Sequence, residues 1–317
     1  MNDQSSKGSS RFRAIPRPDR ITVIINPNAG RPYPILRTLN DELSGLEWSV
    51  VITQKENDAS IAARKAVEDG TVELVIVYGG DGTIMEVIGE LAGTEMPMLV
   101  LRGGTGNVIA DELSLPTEVA DGVRMASADN LKLRSVDLGV IDGTHPFILR
   151  CGFGLEARAL ELTRDEAKAS WGKVAYLEGF VKALVDQETI RCRMWIDGET
   201  DFIEEEVVAL TVANASGIGV GNFRITPDAA IDDNKLDLCL IRKTGIDSAI
   251  EFFTPSGSNE DPDEDGFDTS LLVKHRQVES VRFETDPVVE FQVDGDLIGK
   301  TPLAISLDPR KVWMAVC

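Results

Sequence analysis

Two glycine-rich turns carry residues able to do chemistry. In the first, Gly79-Gly80-Asp81-Gly82-Thr83 follows the apolar run Leu74 to Tyr78, and Ile84, Val87, Ile88 and Leu91 then fall on one helical face. In the second, Arg102-Gly103-Gly104-Thr105-Gly106-Asn107 closes the run Met98 to Leu101 and precedes Val108, Ile109 and Leu113 at helical spacing. A strand, a glycine turn and a helix make a phosphate-binding geometry, because glycine lets the backbone approach an anion and the exposed N–H groups attract it. A carboxylate beside phosphates is repulsive unless a cation lies between them, so Asp81 points to a Mg²⁺-nucleotide. Thr83 to Glu86 fits a capping box that would start the first helix at Thr83. Asn107 is placed to cap the second helix, and Thr105 to donate to a phosphate oxygen. Neither a Walker A lysine pattern nor GxGxxG is present.

The elements that must position these turns alternate. Ile21–Ile25 reads as a strand ended by the turn Asn26-Pro27-Asn28, a helix covers Ile35 to Leu43, and Trp48 to Thr53 is a second strand. A helix over Asp58 to Asp69 follows, then the two strands that end in the glycine turns. Continuously apolar strands separated by helices predict a parallel sheet covered on both faces. Two glycine turns at its carboxyl edge would face one crevice.

After about Val136 strand and turn signals dominate, at 191–196, 207–213, 236–242, 278–284, 288–293 and 312–316, with one long helix expected over Lys173 to Val185. This predicts a largely antiparallel β domain. Ser256 to Asp268 carries six acidic residues and no basic one, which reads as an exposed loop.

Bulk properties bound the function. The 317 residues suggest two domains. Lys and Arg total 32 against 53 Asp and Glu, a formal net charge of -21, which disfavours a nucleic-acid partner and repels an anionic membrane at long range. Four scattered cysteines without a CxxC pair and only two histidines argue against a zinc site and a Ser-His-Asp triad. With no apolar run of about 18 residues and no secretory leader, a cytoplasmic chain without a membrane span is expected. The first 19 residues read as a flexible tail.

An ordered set of segments resembles the diacylglycerol kinase catalytic-domain family, which includes sphingosine kinases and bacterial lipid kinases. The set begins with VIINPNAG at 23–30, GGDGT at 79–83, GTGNVIA at 104–110 and VDLG at 136–139. It continues with GFG at 152–154, NASG at 214–217, PDA at 227–229 and VDG at 293–295. The resemblance implies an α/β nucleotide domain with a parallel sheet, like that of NAD kinases, over 20–138. It also implies a mainly antiparallel β-sandwich substrate domain over 139–310, a last strand at 311–317 returning to the first domain, and an active site in the cleft between the domains. It implies phosphoryl transfer from ATP to a lipid hydroxyl, with Mg²⁺, by a protein peripheral to the membrane.

The family's nucleotide contacts fall here on Thr53, the segment Gly79 to Met85, and Thr105, and nucleotide binding is expected at Asn26, Thr53, Gly79, Gly80, Asp81, Gly82, Thr83, Gly104, Thr105 and Asn107. Thr53 rests on the resemblance alone. A structural Mg²⁺ is expected on the Asp233 carboxylate and the carbonyls of Ala230 and Lys235, where the residues by themselves read as a solvated turn. Asp296, in Asp294-Gly295-Asp296, is implied as the base that accepts the substrate proton, and Asp81 as the catalytic Mg²⁺ anchor. The family's pattern has glutamate at 296. Aspartate brings the carboxylate about 1.5 Å nearer the backbone, where productive geometry tolerates well under about 1 Å of error. Asp-Gly between strands is also an ordinary hairpin turn. Glu156 stands where many relatives have aspartate and receives no role. Trp171, Tyr176, Leu177 and Phe180 read either as core or as an acyl groove. An NAD kinase-like enzyme and a catalytically weak nucleotide- or lipid-binding module are the alternatives, and a homodimer through an exposed edge strand is a further expectation.

Overall fold

In the computed structural model the described residues are 11–30, 33–154, 188–215, 229–243, 268–269 and 273–317. The helix expected at 173–185, the aromatic residues from Trp171 to Phe180, Glu156, and the acidic stretch before Asp268 lie outside them. The chain divides after Leu138 into two units, and residues 309–317 rejoin the first.

The first unit is built on apolar runs that become strands. In chain order its elements are β1 (Phe12–Pro16), β2 (Arg20–Ile25), α1 (Ile35–Glu42), β3 (Glu47–Ile52), α2 (Asp58–Asp69), β4 (Leu74–Gly79), α3 (Asp81–Leu91), β5 (Pro97–Arg102), α4 (Val108–Glu112), α5 (Val119–Met125) and β6 (Asn130–Val136). All six residues of β4 are buried, as are five of six in β2 and in β5. Such burial on both faces requires helices above and below. Ile21, Val23 and Ile25 pack with Ile35 and Leu39 of α1 and Val123 of α5. By alternation Ile24, Val75 and Val77 point to the opposite face, where α2 and α3 pack together. Strands β3, β2, β4 and β5 run parallel, and the last strand of the chain, Val312–Ala315, continues them beside β5. It pairs antiparallel with β6 on its other side.

The segment expected to be a flexible tail contains β1, which pairs antiparallel with β6 from Phe12↔Arg134 to Pro16↔Asn130. FRAIP has a charged residue and a proline, a weak strand pattern by itself, and pairing along a sheet edge is what orders it.

The described part of the second unit is antiparallel throughout. Its strands are β7 (Gly139–Ile141), β8 (His145–Phe147), β9 (Arg150–Gly154), β10 (Ile190–Ile196), β11 (Ile203–Val207), β12 (Ala209–Ala213), β13 (Leu236–Ile241), β14 (Asp268–Thr269), β15 (Val273–Val278), β16 (Ser280–Asp286), β17 (Glu290–Val293), β18 (Asp296–Lys300) and β19 (Leu303–Leu307); β20 (Val312–Ala315) is the returning strand. One sheet has the order β11-β10-β16-β19-β7-β8 and the other β14-β15-β13-β12-β9-β17-β18. Their inner faces form a shared core, with Met194, Ile196 and Ile305 from the first sheet and Leu210, Leu238 and Val293 from the second. Phe153 and Phe283 meet edge-on across it with centroids 6.1 Å apart.

Two stretches that read as single strands are each split. The run 207–213 leaves one sheet at Val207 and enters the other at Ala209, and 278–284 does the same between Val278 and Ser280. Val207, Val208 and Ala209 stay buried through the first corner, whereas the second turns at exposed Glu279, between buried Val278 and Val281.

Candidate active site

The parallel strands end at one edge, and the turns expected to bind nucleotide all lie there. Asn26 follows β2, Thr53 follows β3, Gly80 follows β4 and Gly103 follows β5. Backbone bonds lace these ends together: Asn26 N–H donates to the Tyr78 carbonyl at 2.9 Å, Thr53 N–H to Ile25 at 2.9 Å, and Gly103 N–H to Gly79 at 3.2 Å. Thr53 is buried at this edge; Thr105 is exposed on the second turn.

The turns interlock through missing side chains. A Cβ on Gly104 would lie 2.6 Å from the Gly80 Cα, and one on Gly30, where φ is +61°, would lie 2.2 Å from the Gly103 carbonyl oxygen. These glycines therefore serve backbone packing. Gly82 differs: apart from its chain neighbours and its own helix backbone, a Cβ there would meet no atom of the described residues within 4 Å. Its open surroundings, in the first turn of α3, leave room for a ligand.

Three side chains act otherwise than expected. Helix α3 begins at Asp81, with Gly80 in the cap position, so Thr83 does not start it. Thr83 is buried, and its Oγ1 accepts a hydrogen bond from Asn26 Nδ2 at 2.9 Å. Glu86 closes no capping box; its carboxylate accepts the Ala59 N–H at 3.2 Å, in the first turn of α2. Asn107 makes no cap bond to α4. It turns back on its own loop, accepting the Gly104 N–H at 2.9 Å and donating to the Gly104 carbonyl at 2.8 Å.

Asp81 has neighbours that explain a carboxylate among glycines without a cation. Its Oδ2 accepts the Val108 N–H at 3.3 Å and its Oδ1 the Ile109 N–H at 3.2 Å. These are orphan donors of the first turn of α4, so Asp81 ties the first glycine turn to the helix that follows the second. Each oxygen keeps a lone-pair site, so a Mg²⁺ on the same carboxylate fits. Arg102 secures α4 from its far end: its guanidinium reaches the carbonyls of Leu115 at 2.9 Å and Pro116 at 3.0 Å, and the Asp111 carboxylate at 2.5 Å.

The other expected residues belong to the second unit. Ahead of β13, Asp233 N–H donates to the Ala230 carbonyl at 3.3 Å, Asp233 Oδ1 accepts the Lys235 N–H at 3.0 Å, and Oδ2 accepts from Gln277 at 3.1 Å. The Lys235 ammonium is engaged by Glu279 at 2.7 Å. One carboxylate on a turn whose backbone folds back on the Ala230 carbonyl suits a cation that takes few protein oxygens and completes its shell with water. Among the described residues no three His, Cys, Asp or Glu side chains group to hold a metal. Asp296 is exposed and opens β18, at the same edge of the sheet as this loop. Four strand spacings separate β13 from β18, about 19 Å, so Asp296 and Asp233 cannot share an ion.

Residue-level reading missed Asp294, which it treated as a turn. Asp294 is half-buried, yet its carboxyl is enclosed: Oδ2 accepts the Ile148 N–H at 3.0 Å, and Oδ1 accepts those of Leu149 at 3.0 Å and Arg150 at 2.8 Å. Burial pushes this carboxyl up to about 6, against the three hydrogen bonds and the Arg150 charge, which pull it down. Asn214 was also given no role, and it is fully buried beside the same segment. Both lie in motifs of the ordered set, the only signal that could have found them.

Comparison with known proteins agrees with this architecture. The family model for the diacylglycerol kinase catalytic domain matches residues 20–141, and that for the YegS C-terminal NAD kinase beta sandwich-like domain matches 150–316. The chain is 26% identical over 291 residues to a diacylglycerol kinase of Staphylococcus saprophyticus, covering 89% of this chain and 90% of that one. It is 27% identical over 299 residues to a probable YegS-like lipid kinase of Enterobacter sp., covering 92% and 94%. An uncharacterised Synechocystis protein is 27% identical over 277 residues, covering 84% of this chain and 60% of that longer one. A crystal structure of a putative diacylglycerol kinase from Bacillus anthracis shares the fold, with a TM-score of 0.73 at 24% identity over 94% of this chain and 97% of that one. No described helix is long and apolar enough to cross a membrane. With both family models matched in order along one chain, this protein belongs to the diacylglycerol kinase catalytic-domain family, in the branch that carries a YegS-type β-sandwich domain.

Proposed function

We propose that this protein transfers the γ-phosphoryl group of ATP to the hydroxyl of a lipid, diacylglycerol or a related alcohol, in a Mg²⁺-dependent reaction. The single observation that carries the reading is the open first turn of α3. Interlocked glycines fix its surroundings, while a side chain at Gly82 would meet no other element among the described residues. There the N–H groups of a helix start are free of side-chain caps and can take phosphate oxygens. Thr105 would add a hydroxyl donor, and Asn26 and Asn107 hold the turns in shape. Asp81 would take Mg²⁺ on its remaining lone pairs, and Asp233 with the Ala230 and Lys235 carbonyls would hold a second, structural Mg²⁺. When bound, Mg²⁺ supplies charge neutralisation on the phosphates. Asp296 would accept the hydroxyl proton as the lipid oxygen attacks. Preorganised amides and positioning supply most of the rate in such transfers.

The relatives named as diacylglycerol kinases and YegS-like lipid kinases support a lipid acceptor over NAD. A cytoplasmic enzyme meeting its lipid at the membrane surface follows from that chemistry. A test is transfer of label from ATP to a panel of lipid alcohols in mixed micelles with Mg²⁺, with NAD as the competing acceptor. Labelling of one lipid, slowed roughly 10²–10⁴-fold in Asp296→Ala, supports the reading. Labelling of NAD in place of every lipid overturns it.

A further inference from the structure

A two-residue hairpin turn asks only for backbone in the left-handed region, and Asp294 at φ 48° and Gly295 at φ 99° supply it. Asparagine would do this without placing a charge in an enclosed site. Asp294 does more than turn the chain. Its carboxylate takes three consecutive backbone N–H groups from residues 148–150, and its own N–H returns to the Arg150 carbonyl at 3.0 Å. Gly295 N–H donates to the side-chain carbonyl of the buried Gln292 at 2.9 Å.

The gripped segment is itself fixed from a second direction. Asn214 donates its side-chain amide to the Ile148 carbonyl at 2.9 Å, and the N–H groups of Asn214 and Ala215 converge on the Leu149 carbonyl at 2.8 and 3.2 Å. The Asn214 corner, the 148–150 backbone and the Asp294 turn thus form one hydrogen-bonded unit.

Asp296 hangs from this unit. It is the first residue of β18, which ends its sheet and pairs only with β17 among the described strands. That pairing is interrupted by a register shift at Phe291/Gln292. The shift lies beyond the two pairs next to the turn, Val293↔Asp296 and Gln292↔Leu297, so the turn that Asp294 anchors sets where the first residue of this edge strand sits. Aspartate, with one rotatable bond fewer than glutamate, cannot compensate for a misplaced backbone.

We propose that Asp294 is a positioning residue, whose carboxylate clamps the β17–β18 hairpin to the 148–150 backbone and so places Asp296 for proton acceptance. The proposal rests on the lipid-kinase reading and concerns how its base is held.

The experiment measures kcat and KM in the mixed-micelle assay for the wild type, Asp294→Asn, Asp296→Ala and the double variant. Asp294→Asn presents an NH₂ group to N–H donors. It is expected to lower kcat by roughly 10- to 100-fold while leaving the KM for ATP within about twofold. On the Asp296→Ala background the same substitution is expected to cost nothing further, because the group it positions is gone. An equal fold-loss on both backgrounds would assign Asp294 to general folding and overturn the proposal, as would an unchanged kcat. Should Asp294→Asn melt before assay, Asp294→Glu keeps charge and acceptors while displacing the hairpin by about one methylene. It must show the same loss confined to the Asp296 background, or the proposal is overturned. A wild type that labels no lipid removes the kinase reading and the positioning role with it. An active wild type with additive losses removes the positioning role alone.

Discussion

Each unit contains an Asp-Gly pair whose carboxylate accepts consecutive backbone N–H groups from a distant segment. Asp81 takes two, from Val108 and Ile109, at 3.2 to 3.3 Å; Asp294 takes three, from residues 148–150, at 2.8 to 3.0 Å. The first is partly open and keeps lone pairs toward solvent, where phosphates and Mg²⁺ would lie. The second is enclosed, and its charge is spent on the protein. The difference teaches that an acid in a glycine motif need not be the reacting group. A loose clamp can serve a ligand as well, whereas a tight one can only place its neighbour.

The largest effect should come from breaking the frame of the first clamp. Gly104→Ala forces a methyl to within 2.6 Å of the Gly80 Cα. Overpacking of backbone against backbone costs about 1–3 kcal/mol or more and spreads the turns. ATP binding by calorimetry should fall at least roughly 100-fold, or about 2.8 kcal/mol.

The second clamp has a pH signature. Burial lifts the Asp294 carboxyl from its ordinary 3.8 to about 6, so the folded state holds this proton more tightly than the unfolded one. The sign follows: this group's stabilising contribution is full below about pH 3.8 and is lost as pH rises through about 6. The loss is on the order of 3 kcal/mol. Melting of the wild type relative to Asp294→Asn should therefore decline between pH 4 and 7. Activity should run the other way. The ionised carboxylate accepts the three N–H groups more strongly than the neutral acid, so wild-type kcat should fall as pH drops through about 6, a limb missing in Asp294→Asn. The Arg150 charge on β9 acts on the carboxyl, and Asp296 lies on its own hairpin.

A smaller effect sharpens the role of Asp81. Asp81→Ala leaves two N–H groups without acceptors and should cost about 1–3 kcal/mol of stability, read by denaturant unfolding. Asp81→Asn retains one acceptor oxygen and should recover part of that. If the residue also holds Mg²⁺, Asp81→Asn will need several-fold more Mg²⁺ for half-maximal rate; an unchanged requirement would leave it a clamp only.

The smallest change in stability should accompany a clear change in binding. Gly82→Ala meets no other element among the described residues and adds helix propensity, gaining up to about 1 kcal/mol. The same methyl stands where phosphates would approach, so ATP affinity should drop about tenfold. A variant that is both more stable and equally tight would place the nucleotide elsewhere.

Much of the first unit was legible in sequence because its information is local. Buried parallel strands such as 74–79 read as unbroken apolar runs, and glycines mark where they stop. Asp81 was harder, since the groups that satisfy it arrive 27 and 28 residues later. Asp294 was harder still: its partners lie about 145 residues earlier, and a hairpin signal fully accounted for its type. The corners at Val208 and Glu279 were invisible for another reason. Patterning reports which face is buried, not which sheet does the burying, and both runs have buried apolar residues on either side of the turn. Strand β1 fails every local test and exists because β6 offers it an edge.

The most direct measurement of the central claim follows label from ATP into the organic phase of a lipid extract. Two parallel reactions with wild-type protein, Mg²⁺ and a diacylglycerol-led panel of lipid alcohols would carry label at the γ or the α phosphate. Transfer of γ label alone, slowed roughly 10²–10⁴-fold by Asp296→Ala, is the predicted result. Organic-phase label from neither reaction, with ATP bound throughout, would contradict it.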